Sequence, residues 1–237
     1  MKLDLLVFAV HPDDAELGCS GTILKHLHAG KKVGVVDLTR GELGTRGSAE
    51  IRDQEASASA KILGLTAREN LRMRDGFFKN DEDHQLEIIR IIRKYTPEII
   101  LSNALEDRHP DHGKAGDLIN DAAFLSGLSK IRTENEGENQ EAWRPRLLLQ
   151  YIQDRYIKPD ILIDITDFWE IKMQSISAYG TQFFNPEGEN ATYISSPDFL
   201  KVIEGRNRDF GKYINVTYAE GFTSRKLLGV DNLFDLK

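Results

Sequence analysis

Leu3-Asp4-Leu5-Leu6-Val7-Phe8-Ala9-Val10-His11-Pro12-Asp13-Asp14-Ala15-Glu16 passes abruptly from an apolar run to a cluster of polar, chemically capable side chains. Leu5 to Val10 leave no alternate face for water, so Leu3 to Val10 reads as a strand covered on both sides, as in a parallel sheet. A chain leaving such a strand with His11, Asp13 and Asp14 sets them at the carboxyl edge of the sheet, where open α/β folds place their ligands. Imidazole and carboxylate at His11 and Asp14 suit a borderline metal such as zinc. Asp13 is then left over as a base. Asp and Pro are also ordinary turn residues, so the segment by itself also reads as a capped strand-to-helix turn.

Outward from this segment, the first two-thirds of the chain repeats strand then helix. Gly21-Thr22 leads into Ile23, Leu24 and Leu27, spaced as a helix that ends near Ala29-Gly30. Val33 to Leu38 predicts a second strand, followed by a glycine-rich loop from Thr39 to Ser48 and a helix from about Ala49 to Leu63 with Ser48 as its cap. Leu71 to Met73 is a short strand candidate, His84 to Tyr95 an amphipathic helix, and Glu98 to Ser102 another strand. Arg132 to Glu141 reads as an exposed acidic loop, with strand-like runs resuming at Leu147 to Ile152 and Ile161 to Ile165. Asp167 is expected to cap a helix to about Tyr179, and Pro197-Asp198 to open one reaching about Phe210. The alternation predicts one domain over 1–237: a Rossmann-like α/β fold with a mostly parallel sheet, helices on both faces and a smaller C-terminal subregion.

A second polar cluster, Glu106-Asp107-Arg108-His109-Pro110-Asp111-His112, follows the apolar run Ile99-Ile100-Leu101. Strand-end loops of neighbouring parallel strands converge, so the two clusters can meet. His11, Asp14 and His112 would then give three protein ligands and one open position, the pattern of a catalytic zinc site rather than a closed structural one. Asp13, beside the ligands, can take a proton from water and pass it to a leaving amine. A protonated His109 can stabilise a developing oxyanion. Asp111 is near enough in sequence to orient a histidine, with a loop cap as its other reading. Arg52 is a natural clamp for a carboxylate or phosphate, although its spacing alone also fits a surface salt bridge. His26, His28 and His84 read as helix-surface residues. The loop Gly41–Gly47 lacks a phosphate-loop ending, and Gly18-x-x-Gly21 does not complete a dinucleotide fingerprint.

With 237 residues, 40% hydrophobic and 29% charged, the chain has the bulk of a globular protein with a full core. Its net charge of -7 and the lack of a dense Lys/Arg cluster argue against a nucleic-acid partner. No run reaches the length of a membrane span, and the first apolar run stops too early for a signal peptide. A single cysteine, Cys19, precludes an intrachain disulfide, reads as a small buried side chain and points to a cytoplasmic setting.

The paired motifs resemble those of the LmbE-like, or PIG-L, zinc-dependent N-deacetylases, which include mycothiol and N-acetylglucosaminylphosphatidylinositol deacetylases. The opening motif stands as Val10-His11-Pro12-Asp13-Asp14-Ala15-Glu16, with Val where Ala is usual, and the downstream motif as Asp107-Arg108-His109-Pro110-Asp111-His112. Asp37-Leu38-Thr39, Glu50-Ile51-Arg52-x-x-Glu55-Ala56, Tyr179-x-x-Gln182-Phe183 and Tyr218-Ala219-Glu220-Gly221-Phe222 look like the branch that makes bacillithiol. The resemblance implies one zinc per chain on His11, Asp14 and His112, Asp13 as general base and acid, and His109 with Asp111 as oxyanion stabiliser and charge relay. It implies Arg52 facing the substrate's anionic portion, and an arginine before a late strand approaching the site, which Arg144 matches better than Arg146. The implied substrate is an N-acetylglucosamine conjugate, N-acetylglucosaminyl-malate foremost. Alternatives are a chitin oligomer or another N-acetyl sugar, a mycothiol-type conjugate and, remotely, a non-enzymatic nucleotide- or anion-binding protein. Homo-oligomers, trimers or paired trimers, are implied as well, with Trp169 and Tyr179 as weak support from the sequence.

Overall fold

The central strands form where apolar residues run without interruption. β1 (Leu5–Ala9) is buried along its whole length and leads into α1 (Asp14–His28). Then follow β2 (Val33–Asp37), α2 (Ala49–Leu63), β3 (Ala67–Asn70), α3 (Glu82–Tyr95), β4 (Ile99–Ser102) and α4 (Pro110–Leu125). A two-stranded ribbon, β5 (Glu134–Asn135) and β6 (Glu138–Asn139), precedes β7 (Leu147–Tyr151), β8 (Ile161–Asp164), α5 (Trp169–Ser177), α6 (Phe199–Tyr213) and β9 (Ala219–Thr223). The chain is described by a computed structural model over residues 1–183 and 192–236.

The main sheet has the order β3-β2-β1-β4-β7-β9-β8. The first five strands are parallel, and β9 runs antiparallel between β7 and β8. The order reverses between β1, which continues to β2 and β3 on one side, and β4 on the other. A crevice at the carboxyl ends of β1 and β4 follows from that reversal. Alternate residues of β1 enter different cores. Leu6 and Phe8 join Ile88, Ile92, Leu118 and Ile119 of α3 and α4, while Leu5, Val7 and Ala9 join Ala15, Cys19 and Ile23 of α1. Trp169, Ile176, Phe199, Ile203 and Tyr218 build the smaller C-terminal subregion around α5 and α6. Among the described residues, no helix is long and apolar enough to cross a membrane.

Several local expectations are corrected. α1 starts at Asp14 and not near Thr22; Gly18 and Gly21 lie within it as close-approach positions where a Cβ would collide with Tyr151 and Ile165. The helix bends instead at Cys19 (φ -150°, ψ 15°). Lys172 Nζ donates to the carbonyls of Glu16 and Leu17 before the bend (2.8 and 3.0 Å), and Glu220 accepts the amides of Gly21 and Thr22 after it (2.9 and 2.7 Å). Lys172 and Glu220 pair at 2.9 Å with both side chains buried; removing one partner of such a pair typically costs about 3–5 kcal/mol. The third strand is Ala67–Asn70 and not Leu71–Met73, since Arg72 takes a positive φ of 54° that ends the extended run. The acidic segment contains the β5–β6 hairpin, turned by Glu136 (φ 54°) and Gly137 (φ 83°). Asp167 does not cap a helix with its side chain, whereas α6 opens directly after Asp198 as expected. Trp169 and Tyr179, offered above for association, are 7% and 0% exposed and belong to the core.

Candidate active site

Two strand ends supply the site. The amide of Val10, just past β1, donates to Asn103 Oδ1 just past β4 (3.0 Å), locking the two edges together. Asp14 is the first residue of α1, and its Oδ2 accepts from the His11 amide (2.9 Å) and Asn103 Nδ2 (3.0 Å), while Gln153 Nε2 donates to its Oδ1 (2.5 Å). Between them Asp13 adopts φ 144°, a conformation that side chains other than glycine rarely take. On the other strand, Pro110 occupies the first turn of α4, where its missing N–H is harmless. His109 caps that helix by accepting the Asp111 amide on Nδ1 at 3.3 Å.

The side chains converge. His11 Nδ1 lies 3.6 Å from Asp14 Oδ2, and His112 Nε2 lies 3.3 Å from Asp14 Oδ1. Each imidazole carries a carboxylate on its other nitrogen: Asp75 Oδ1 is 3.1 Å from His11 Nε2, and Asp107 Oδ2 is 2.6 Å from His112 Nδ1. That pattern fixes a metal-binding tautomer and leaves His11 Nδ1 and His112 Nε2 facing inward. Ring nitrogens of His11, His109 and His112 also fall within 4.8 Å of one another, so His109 competes with Asp14 as third donor. Asp14 adjoins both inward nitrogens, whereas His109 Nδ1 is taken by its helix cap.

Charge balance supports a dication here. Burial presses both imidazoles toward neutrality, yet Asp14 and Asp75 lift His11 to about 10, and Asp14 and Asp107 lift His112 to about 9. Asp14 is held well below the usual carboxylate range by His112 and His11, which outweigh its burial. In the metal-free chain, the raised imidazoles thus offset part of the charge of Asp14, Asp75 and Asp107, and a divalent ion would do the same. His/Asp donors of this kind fit zinc. Burial lifts Asp13 to about 7 against the pull of Arg52. His109 is pushed down by burial and by the nearby His11 and His112, against the pull of Asp14 and Asp111. With Nδ1 accepting, a neutral His109 carries its proton on Nε2 and can donate a hydrogen bond from there.

The remaining predicted residues are placed differently. Arg52 lines the cavity; its Nη1 donates to Asp13 Oδ2 (3.0 Å) and the Pro12 carbonyl (3.4 Å), while its buried Nε has no partner among the described residues. The Asp111 carboxylate accepts from the Gly76 amide (2.9 Å) and Lys114 Nζ (2.8 Å); it hydrogen-bonds His109 only through its backbone amide, as the geometry of a helix first turn dictates, while its charge pulls the His109 pKa upward. Arg144 donates to the Phe124 carbonyl and stacks on the Phe124 ring at the far end of α4. It precedes β7, whose opposite end points at the site, so this chain does not bring Arg144 to its own cavity, nor Arg146, which pairs with Glu98. Arg46 and Arg108 line the cavity instead, with Leu43 and Tyr193 on its wall; the cavity measures about 340 Å³. No motif or spacing in the sequence assigns a role to Asp75, Asn103, Asp107 or Gln153. Asp107 alone was signalled, by its place in the second cluster.

Residues 6–123 match the family described as GlcNAc-PI de-N-acetylase, PIG-L. The chain is 30% identical to the diacetylchitobiose deacetylase of Thermococcus kodakarensis, over 92% of this chain and 81% of that protein. It is 26% identical to a probable N-acetyl-alpha-D-glucosaminyl L-malate deacetylase of Bacillus subtilis, over 77% of this chain and 84% of that protein. A conserved protein of Thermus thermophilus has a solved structure that superposes with a TM-score of 0.85 at 35% identity, covering 97% of this chain and 98% of that one. Together with a His/Asp cluster able to hold a metal, these likenesses make the chain a member of the PIG-L, or LmbE-like, deacetylase family, with the active site of a metal-dependent hydrolase.

Proposed function

We propose that the chain, acting as one deacetylase unit over 1–237, hydrolyses the acetamide of an N-acetylglucosamine conjugate with a zinc ion held by His11, Asp14 and His112. The observation that carries this reading is the pair of inward-facing imidazole nitrogens, each braced by a carboxylate, on either side of Asp14 and next to the buried Asp13. The ion would polarise the amide carbonyl and acidify water. Asp13 accepts the proton of the attacking water and returns it to the departing nitrogen; its strained, buried position and its hydrogen bond from Arg52 keep the carboxylate aimed. His109 donates from Nε2 to the oxygen on which negative charge grows. Asp111 ties the first turn of α4 to the loop at Gly76 and so steadies His109.

The substrate reading favours an N-acetylglucosamine oligomer such as diacetylchitobiose, on the more extensive likeness to the Thermococcus enzyme. N-acetylglucosaminyl-malate is the second reading, supported by the likeness to the Bacillus protein. An acetate-release assay of zinc-loaded protein on diacetylchitobiose, N-acetylglucosaminyl-malate and free N-acetylglucosamine separates them. Diacetylchitobiose is expected to be turned over with the highest kcat/KM. A preference for the malyl conjugate would transfer the assignment to the second reading, and no acetate from any of the three would defeat the deacetylase reading.

A further inference from the structure

Asp75 lies in the loop after β3, and no local spacing links it to the site. Its carboxylate is nonetheless 7% exposed and engaged on both oxygens. Oδ1 faces His11 Nε2 at 3.1 Å, and Oδ2 accepts the Leu43 amide at 3.0 Å. The Asp75 amide donates to Glu42 Oε1 at 2.8 Å, and the next amide, of Gly76, donates to Asp111 Oδ2 at 2.9 Å. Two consecutive residues therefore tie together the end of β1, the glycine-rich loop after β2 and the first turn of α4. Leu43, whose backbone Asp75 grips, is 62% exposed and forms part of the cavity wall.

We propose that Asp75 is a positioning residue that holds His11 with its proton on Nε2 and its Nδ1 turned to Asp14, and that it couples this orientation to the cavity-wall loop at Glu42–Leu43. The proposal rests on the reading that His11, Asp14 and His112 hold a metal. An ionised carboxylate only accepts, so the imidazole nitrogen it faces must donate, and the lone pair is left on the other nitrogen. An imidazole without such a partner can rotate about its ring bond and present either nitrogen, which spreads the ligand over several geometries. Bonds of this kind to a liganding histidine typically change metal affinity by about 10–100-fold. The Leu43 bond adds a second consequence: a ligand pressing on the wall loop and the ring that would hold the metal are joined through a single carboxylate.

The test is zinc affinity, by competition with a chromophoric chelator, for wild type, Asp75→Ala and Asp75→Asn, together with the thermal stability of each metal-free protein. Asp75→Ala is expected to bind zinc about 10–100-fold more weakly than wild type. Asp75→Asn, whose amide oxygen still accepts from Nε2–H, is expected to recover part of the loss. A folded Asp75→Ala protein with wild-type zinc affinity would overturn the proposal, even if its melting temperature had dropped. Nitrogen-15 spectra of histidine-labelled, zinc-loaded wild type need no variant: they should show His11 protonated at Nε2 and coordinated through Nδ1, and coordination through Nε2 would overturn the proposal. Should wild type itself fail to bind zinc, the metal reading falls and takes this one with it. Failure in the variants alone removes only Asp75.

Discussion

The two strand ends that flank the reversal of the sheet carry the same kinds of side chain and are braced differently. After β4, the carboxylate on His112 is Asp107, five residues upstream in the same loop. After β1, the carboxylate on His11 is Asp75, which is 64 residues away and arrives only because β3 and β1 both flank β2 in the sheet. The backbone differs as well. His109 enters α4 at an ordinary extended φ of -83° with Pro110 behind it, whereas Asp13 enters α1 at φ 144°. Strained, buried positions persist where the surroundings over-determine them, and Asp13 is fixed by Arg52 and by the Leu17 amide on its carbonyl. One half of the site, around His112, is thus assembled locally. The other half, around His11 and Asp13, depends on distant contacts.

The largest expected effect breaks this asymmetry at Asp13, the proposed base. Asp13→Asn is expected to lower kcat by about 10²–10⁴-fold while zinc content stays near that of wild type. Steady-state kinetics with metal analysis of the same samples checks this, and parallel loss of zinc would make Asp13 a ligand. A smaller effect concerns protons shared by both halves. Against burial, carboxylate neighbours lift His11 to about 10 and His112 to about 9, so a metal binding near pH 7 is expected to displace a proton from each. Zinc affinity is therefore expected to rise with pH, by up to about 100-fold per pH unit near neutrality, and to steepen less once His112 has titrated. Calorimetry in buffers of different ionisation enthalpy should detect about two protons released per zinc at pH 7. Release of none would show that the histidines are already neutral.

Much of this was legible in the residues themselves. β1, β2, β4, β7 and β8 announce themselves as apolar runs, and His11, Asp13, Asp14, His109 and His112 stand at two of their ends. What escaped lacks local pattern. β3 is Ala67-Arg68-Glu69-Asn70, whose Arg68 turns inward to Asp37 and Glu16 instead of filling an apolar face. β9 breaks its alternation with Glu220, which serves the bend in α1. α4 lacks a strong apolar stripe: its first turn reads as catalytic loop chemistry, and half of its buried residues are alanine or glycine. Asp75, Asn103 and Gln153 reach Asp14 and His11 only through the order of the strands, which no spacing encodes. Arg144 was placed by likeness of position, yet β7 runs the site away from it.

The proposed donors, His11, Asp14 and His112, differ in one residue from the three-histidine group, and that residue decides whether the two halves share one metal as proposed. Zinc affinity measured side by side for Asp14→Ala and His109→Ala, by chelator competition on folded protein, separates them. Asp14→Ala should lose zinc by at least about 100-fold in affinity, as expected for a direct ligand if loss of a bond to a ligand already costs about 10–100-fold, while His109→Ala binds it nearly as wild type does. Retention of zinc in Asp14→Ala with loss in His109→Ala would contradict the assignment and make the site a three-histidine centre.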